Sequence, residues 1–239
     1  MIGVRSFLFL AAGAMTASAF AAPPRHAAHH HMVAVDWTRT VTATSDGGFR
    51  MGNPKAKVTL VEYSSFTCPH CAAFAGEAIP TIRDSFVRSG KLSFEVRPAV
   101  RDRADYVAAL IARCAGPTRF FATAEAIFAA QGDWETRAID YDSNHPAALS
   151  GKDEIAAIGG LASGAGLDTI AKAHGATPAS LIRCYGDAGV KTVIQKTTDD
   201  AWGTRKIGGT PTFYINDIKQ DSVYTWKDLE PKLRDAVKG

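Results

Sequence analysis

Apolar residues fall on both alternating positions of the run Val58-Thr59-Leu60-Val61-Glu62-Tyr63. A strand with one wet face alternates apolar and polar residues, whereas a strand covered on both faces does not. Residues 57–63 are therefore expected to form a core strand. A helical pattern follows over 70–88, interrupted by Pro80, whose ring would crowd the carbonyl of Gly76 and bend the helix. Gly90 stops it. Residues 91–97 alternate as a second strand, parallel to the first across the helical crossover. The pattern is then helical almost throughout 102–202, with helices expected at 103–114, 118–131, 152–162, 167–174, 178–185 and 187–202 and a polar loop at 141–150. Pro117-Thr118 and Thr177-Pro178 read as helix entries. Strands at 212–215 and 219–223, joined by the turn Asn216-Asp217, precede a closing helix at 226–237. Its expected N-cap is Thr225, with Asp228 as the acid at N3. The order is βαβ, a helical block, then ββα. About 100 residues of helix cannot be a loop, so the block is an insertion. Upstream, 22–46 lacks periodicity and reads as a tether, with a short strand at 32–36, and Gly52-Asn53-Pro54 punctuates the start of the folded part.

Composition narrows the class. The chain has 239 residues, a 46% apolar share and a formal charge of +3. No block of like charges is present, which argues against a nucleic-acid or polybasic membrane surface. The N-terminus reads as a signal peptide: Arg5, then the apolar Phe7-Leu8-Phe9-Leu10, then Ala19-Phe20-Ala21 as the small-x-small site, with cleavage expected before Ala22. The alternative, an uncleaved anchor, would need a longer apolar run than the roughly 17 alanine-rich residues here. His26, His29, His30 and His31 fit a solvated polar tail better than a framed metal site.

Export changes how the four cysteines read, because an oxidising compartment favours pairs. Cys68 and Cys71 pair by proximity. Cys114 and Cys184 are left, either bonded to each other across two helices or as two separate buried thiols.

Cys68-Pro69-His70-Cys71 lies between a core strand and a helix, the context of a redox motif on a thioredoxin-like fold. A thiolate is the species that attacks and leaves in disulfide exchange. Cys68 is expected at the helix N-terminus, where unpaired N–H groups and the helix dipole favour an anion. Pro69 suits the first turn. The His70 ring is placed to donate to the sulfur or carry charge beside it. Each effect stabilises the dithiol form and makes the disulfide oxidising. Cys71, one turn deeper, is expected to be the buried resolving thiol. Glu62, in the core strand, is its candidate proton partner, since a desolvated carboxyl holds its proton longer. Gly209-Thr210-Pro211-Thr212 places a proline before a core strand, expected as a cis peptide facing the disulfide. Lacking an N–H, Pro211 leaves room for a substrate chain along the Thr210 backbone.

The stretches VTLVEYSSFTCPHCAAF, IPTIRDSFVRSGKLSFEVR and GGTPTFYIN resemble the DsbA family of exported thiol–disulfide oxidoreductases. The resemblance covers the chain after residue 50, the helical insertion matching only in length and type. It implies an α/β thioredoxin-like fold with a large all-helical insertion: a signal peptide at 1–21, a tether at 22–50, the thioredoxin-like domain at 51–101 and 203–239, and the insertion at 102–202. Cys68 would be the attacking cysteine, Cys71 the resolving one, His70 the residue tuning the thiolate, Pro211 the cis-proline and Glu62 the buried acid. Two positions depart from the family pattern. An acid of the family's helix falls near Ala75, and Thr210 replaces valine before the cis-proline. A Cys114–Cys184 bond would resemble the extra disulfide of some bacterial relatives.

The expected function is a periplasmic, monomeric oxidase that needs no cofactor, acts on reduced unfolded secreted proteins and is reoxidised by a DsbB-like quinone-linked membrane protein. A disulfide isomerase or reductase is the second enzymatic reading. Isomerases of the superfamily resemble dimers built on a separate N-terminal domain, for which 22–50 is short and polar. Metal binding through the CPHC motif and the His-rich tail is the non-enzymatic alternative. Cys114 and Cys184 lack the spacing of a structural zinc site.

Overall fold

The computed structural model describes residues 2–3, 35–149 and 152–239. Except for residues 2–3, the expected signal peptide lies outside the described residues, as do the four histidines of the tail. Among the described residues six strands form one sheet: β1 (Val41–Ala43), β2 (Phe49–Gly52), β3 (Val58–Ser64), β4 (Leu92–Pro98), β5 (Thr212–Ile215) and β6 (Ile218–Lys219), in the order β1-β2-β4-β3-β5-β6. β3 and β4 are parallel, and every other pairing is antiparallel. β3 is central and buried at every position but Thr59, as its two-faced apolar run requires.

Between β3 and β4 runs α1 (Pro69–Thr81). After Pro80 the chain widens into a π-helical stretch, Ile82–Val87, and leaves at Gly90 with φ +76°. The proline removes one helical hydrogen bond, and the wider turn absorbs the mismatch. The block between β4 and β5 comprises α2 (Arg103–Cys114), α3 (Pro117–Ala129), α4 (Gln131–Asn144), α5 (Pro146–Leu149), α6 (Glu154–Ala165), α7 (Leu167–Ala173), α8 (Pro178–Tyr185) and α9 (Ala188–Asp199). α10 (Trp226–Ala236) closes the chain, with the Thr225 hydroxyl accepting from the Asp228 N–H. Among the described residues no helix is long and apolar enough to cross a membrane.

Three expectations are corrected. The stretch read as a tether up to residue 50 contains β1 and the first half of β2, and β2 extends the sheet by pairing with β4. The strand expected at 32–36 falls mostly outside the described residues, and Val35 and Asp36 are not strand. The polar loop expected at 141–150 is the end of α4 followed by α5. α4 is held by tertiary contacts that local polarity hides. Trp134 is buried and its indole N–H donates to the Ile127 carbonyl at 2.9 Å. Tyr141 lies over Gly160 and Gly164 of α6, where any Cβ would collide with its ring.

The helical block shares one core with the sheet. Phe120 stacks on Phe49 with ring centroids 4.4 Å apart, Phe128 on Phe66 at 4.7 Å, and Phe121 meets Phe94 at 5.8 Å. Within the block a disulfide joins Cys114, the last residue of α2, to Cys184 of α8, 70 residues on. Closing a loop of that length restrains the unfolded chain by about 4 kcal/mol in the chain-entropy account. A Cys114→Ala/Cys184→Ala variant is therefore expected to unfold at lower denaturant concentration, with about that much stability lost. Equilibrium urea unfolding followed by circular dichroism measures it, and an unchanged midpoint would contradict the expectation.

Candidate active site

The site forms where β3 ends and α1 begins. Cys68 is the N-cap of α1, with an extended backbone (φ −95°, ψ 117°), and Pro69 opens the first turn. An N-cap side chain faces the helix's unpaired N–H groups. Cys68 and Cys71 are both free thiols and both buried, Cys71 completely. On the opposite side, Thr210-Pro211 is a cis peptide, and the Cys68 thiol donates to the Thr210 carbonyl at 3.1 Å. CPHC and the distant Gly209–Thr212 segment therefore meet at one sulfur. The Thr210 hydroxyl is buried and favours a charged Cys68 sulfur.

The two thiols have opposite electrostatics. The Cys68 thiol is lowered to about 5, first by the hydrogen bond from Cys71, then by Thr210 and by the backbone N–H groups of Cys71 and His70; burial opposes them. Burial and the neighbouring Cys68 push Cys71 well above the ordinary thiol range, with Glu62 adding to the rise. One cysteine is poised to leave as an anion, and the other holds its proton.

Glu62 is 2% exposed, in mid-strand between Val96 of β4 and Phe213 of β5. Burial pushes its carboxyl up to about 8; Ser64 opposes the rise and Cys68 adds to it. Glu95 on the next strand makes the contrast. It is as deeply buried, but Arg97 donates to it at 2.7 Å and Arg50 at 2.7 Å. Those bonds outweigh burial and hold its carboxyl below the usual range. Glu62 has no such cation among the described residues. A buried carboxyl without a counter-charge keeps its proton and can pass it on.

The His70 side chain is exposed, and its backbone N–H is among the groups that lower Cys68. The reason is positional: at the second helical residue the N–H points past the helix end toward the N-cap side chain, while the side chain points outward. Ala75, where the family has an acid, is buried in the core.

Two residues at the site carry no signal in the local pattern. Asp105, in the first turn of α2, is 1% exposed and accepts the Phe66 N–H at 2.7 Å. Burial pushes its carboxyl up to about 7, although Ser65, Phe66 and Arg101 all donate to it. Gln131, first in α4, donates to the carbonyls of Phe66 at 2.7 Å and Cys68 at 3.0 Å. Nothing in the local sequence says that Asp105 turns inward while Asp102 caps the helix.

Known proteins resemble this chain along most of its length. The family described as Thioredoxin matches residues 44–235. A solved structure from Novosphingobium aromaticivorans, named as a protein-disulfide isomerase, is 30% identical and superposes with a TM-score of 0.74, covering 82% of this chain and all of that one. The Wolbachia pipientis alpha-DsbA1 structure, 20% identical, superposes at 0.62 over 79% of this chain and 90% of its own. A Rickettsia conorii protein named "Putative protein-disulfide oxidoreductase" is 25% identical over 187 residues, 78% of this chain and 59% of that protein. A Rickettsia bellii protein of the same name is 25% identical over 188 residues, and the chain covers 63% of its length. The chain thus spans about three-fifths of the curated relatives that it matches. With the redox pair at the strand–helix junction, the cis-proline opposite and a helical block inserted between the two halves of the sheet, the chain belongs to the thioredoxin family and has the DsbA-like form of its fold.

Proposed function

We propose that the protein is an exported thiol–disulfide oxidase that donates a Cys68–Cys71 disulfide to reduced, folding secreted proteins. The observation that carries this reading is the pairing of opposite environments within one tetrad. Cys68 is lowered to about 5 at a helix N-cap, and Cys71 is raised beneath it. In the forward step a substrate thiolate attacks the Cys68 sulfur. The Cys68–Cys71 bond breaks, and Cys71 leaves with the electron pair and takes the proton that Glu62 holds. A second substrate thiolate then attacks the substrate sulfur of the mixed disulfide, and Cys68 leaves as a stable thiolate. The substrate loses two electrons and the protein gains them. A DsbB-like quinone-linked membrane protein would remove them again. The protein acts as a monomer in the periplasm after its signal peptide is cleaved, and the Thr210 backbone beside Pro211 is the edge along which a substrate chain lies.

Holding Cys68 as an anion favours the dithiol by up to about 2–3 kcal/mol at pH 7, on the order of 50 mV in potential. The test is the thiolate absorbance titration of the reduced protein, together with its equilibrium against glutathione. The expected midpoint is about 5, with a potential more oxidising than the roughly −270 mV of thioredoxin. A midpoint near that of free cysteine would overturn the oxidase.

The name of the Novosphingobium structure favours a second reading, isomerisation. It uses the same sulfur, but starts from the dithiol, whose Cys68 thiolate attacks a wrongly paired substrate disulfide. Faster rescue of a scrambled substrate than of a reduced one would select it.

A further inference from the structure

The loop that delivers Cys68 is held almost wholly by the helical block. The Phe66 N–H donates to the Asp105 carboxylate at 2.7 Å, and the other Asp105 oxygen takes the Arg101 N–H at 2.9 Å. The Gln131 amide, buried at 8% exposure, spends its N–H groups on the Phe66 and Cys68 carbonyls at 2.7 and 3.0 Å. The Thr67 hydroxyl donates to Asp102 at 2.7 Å, and the Phe66 ring stacks on Phe128. Both sides of the Phe66 residue are thus gripped, N–H by α2 and carbonyl by α4. The carbonyl that Gln131 takes on Cys68 is the same one that receives the first helical bonds of α1, from Cys71 and Ala72 at 3.0 and 3.1 Å. Burying a carboxylate and an amide against one loop is costly unless every bond is made, so the clamp has a single low-energy arrangement.

We infer that Asp105 and Gln131 are positioning residues that hold the Ser65–Cys68 loop so that the Cys68 sulfur stays in line with the backbone N–H groups at the start of α1. This deepens the oxidase reading and rests on it. The inserted block then helps to set how oxidising the disulfide is, although none of its groups need touch the sulfur. When the clamp is loosened, the N-cap backbone can rotate, the donors lose their aim and the thiolate loses part of its stabilisation.

The experiment compares the parent with Gln131→Met, which keeps the length and removes the donors, and with Asp105→Ala and Asp105→Asn. Arg119→Ala is the control: it removes bonds within the helical block to Ala115 and Gly175 and touches no residue of the loop. The readouts are the Cys68 absorbance titration and the glutathione equilibrium at pH 7. Gln131→Met and Asp105→Ala are expected to raise the titration midpoint by about 0.7 unit and to make the disulfide about fivefold less oxidising, the share of one ordinary hydrogen bond. Asp105→Asn retains an oxygen for the Phe66 N–H, so its shift should be smaller. Arg119→Ala should move neither readout, whatever it does to stability. If the Asp105 variants do not fold, Gln131→Met decides alone. A parent midpoint near 5 with an unchanged Gln131→Met overturns the clamp and leaves the oxidase standing, as does an equal shift in Arg119→Ala. A parent midpoint near that of free cysteine overturns both.

Discussion

Cys68→Ser is expected to reduce oxidation of an unfolded, reduced substrate to background, because an alcohol oxygen cannot carry the mixed disulfide. Cys71→Ser should behave differently. It keeps the Cys68 thiolate but has no resolving thiol, so when it is mixed with a disulfide-bonded substrate Cys68 attacks that bond, one substrate sulfur leaves as thiolate, and the covalent Cys68–substrate complex should accumulate and be visible on a non-reducing gel. It should also disturb Cys68 itself. The hydrogen bond from Cys71 is the largest cause of the lowered Cys68 thiol, so Cys71→Ala should raise its titration midpoint above about 5, and Cys71→Ser, which retains a donor, should raise it less. The potential of the parent carries the same information as a function of pH. Above about 5 the reduced protein keeps Cys68 ionised and Cys71 protonated, so two electrons arrive with one proton and the potential falls by about 30 mV per pH unit. Below about 5 Cys68 also takes a proton and the slope doubles. The thiolate's contribution to the dithiol form is thus complete only above the ordinary thiol range, partly present at neutral pH, and gone once pH has fallen through about 5. A single slope from pH 4 to 8, or a Cys68→Ser variant that still oxidises substrate at the parent rate, would refute the assignment of Cys68.

How much of this could be read from the chain varies with the range of the forces involved. The redox tetrad, β3, β4 and α2 are legible because their causes are local: an apolar run, a proline at the first helical turn, a helical period. α2 begins and ends where its pattern predicts, at Arg103 and Cys114. The cis-proline is legible only because the CPHC tetrad lies upstream; alone, Gly-Gly-Thr-Pro before a strand would read as an ordinary trans proline at a strand start. β1 and β2 are not legible. Their short Thr-, Ala- and Gly-containing segments become strands only because β4 offers an edge, and Arg50 of β2 reaches Glu95 across it. α4 is hidden for the same kind of reason, since its polar face looks like a loop until Trp134 and Tyr141 find their partners. Within the site, the backbone N–H of His70 acts on Cys68, a contribution that follows from helix geometry at the second helical residue rather than from the residue type. Asp105 and Gln131 are legible only in three dimensions, where each meets a loop more than 35 residues away in the chain.

Glu62→Gln is expected to make the protein more stable and less active, and the pH dependence of that stability is the sharper half of the expectation. The folded carboxyl is raised from 4.5 to about 8. Between those values the folded state binds a proton that the unfolded state has lost, so Glu62 subtracts stability progressively as pH rises through the window. At 1.36 kcal/mol per unit, the cumulative loss by pH 8 is up to about 4 kcal/mol. Glutamine fills the same space without a charge, so the variant should match the parent near pH 4 and exceed it by several kcal/mol at pH 8 in urea unfolding of the dithiol form. Asp105, raised to about 7, adds a slope of the same sign to both proteins, and the difference between them isolates Glu62. Activity should move the other way. Without a proton donor, Cys71 must leave as a buried anion, and a positioned acid ordinarily speeds such a step by roughly 10²-fold or more. Single-turnover oxidation of a dithiol peptide measures that step directly. Equal pH slopes in parent and variant would mean that Glu62 is not held protonated. An unchanged single-turnover rate would mean that its proton goes elsewhere. If both effects appear together, the uncompensated carboxyl in the sheet is a cost in stability kept for turnover, which explains why its neighbour Glu95 has two arginines and Glu62 has none.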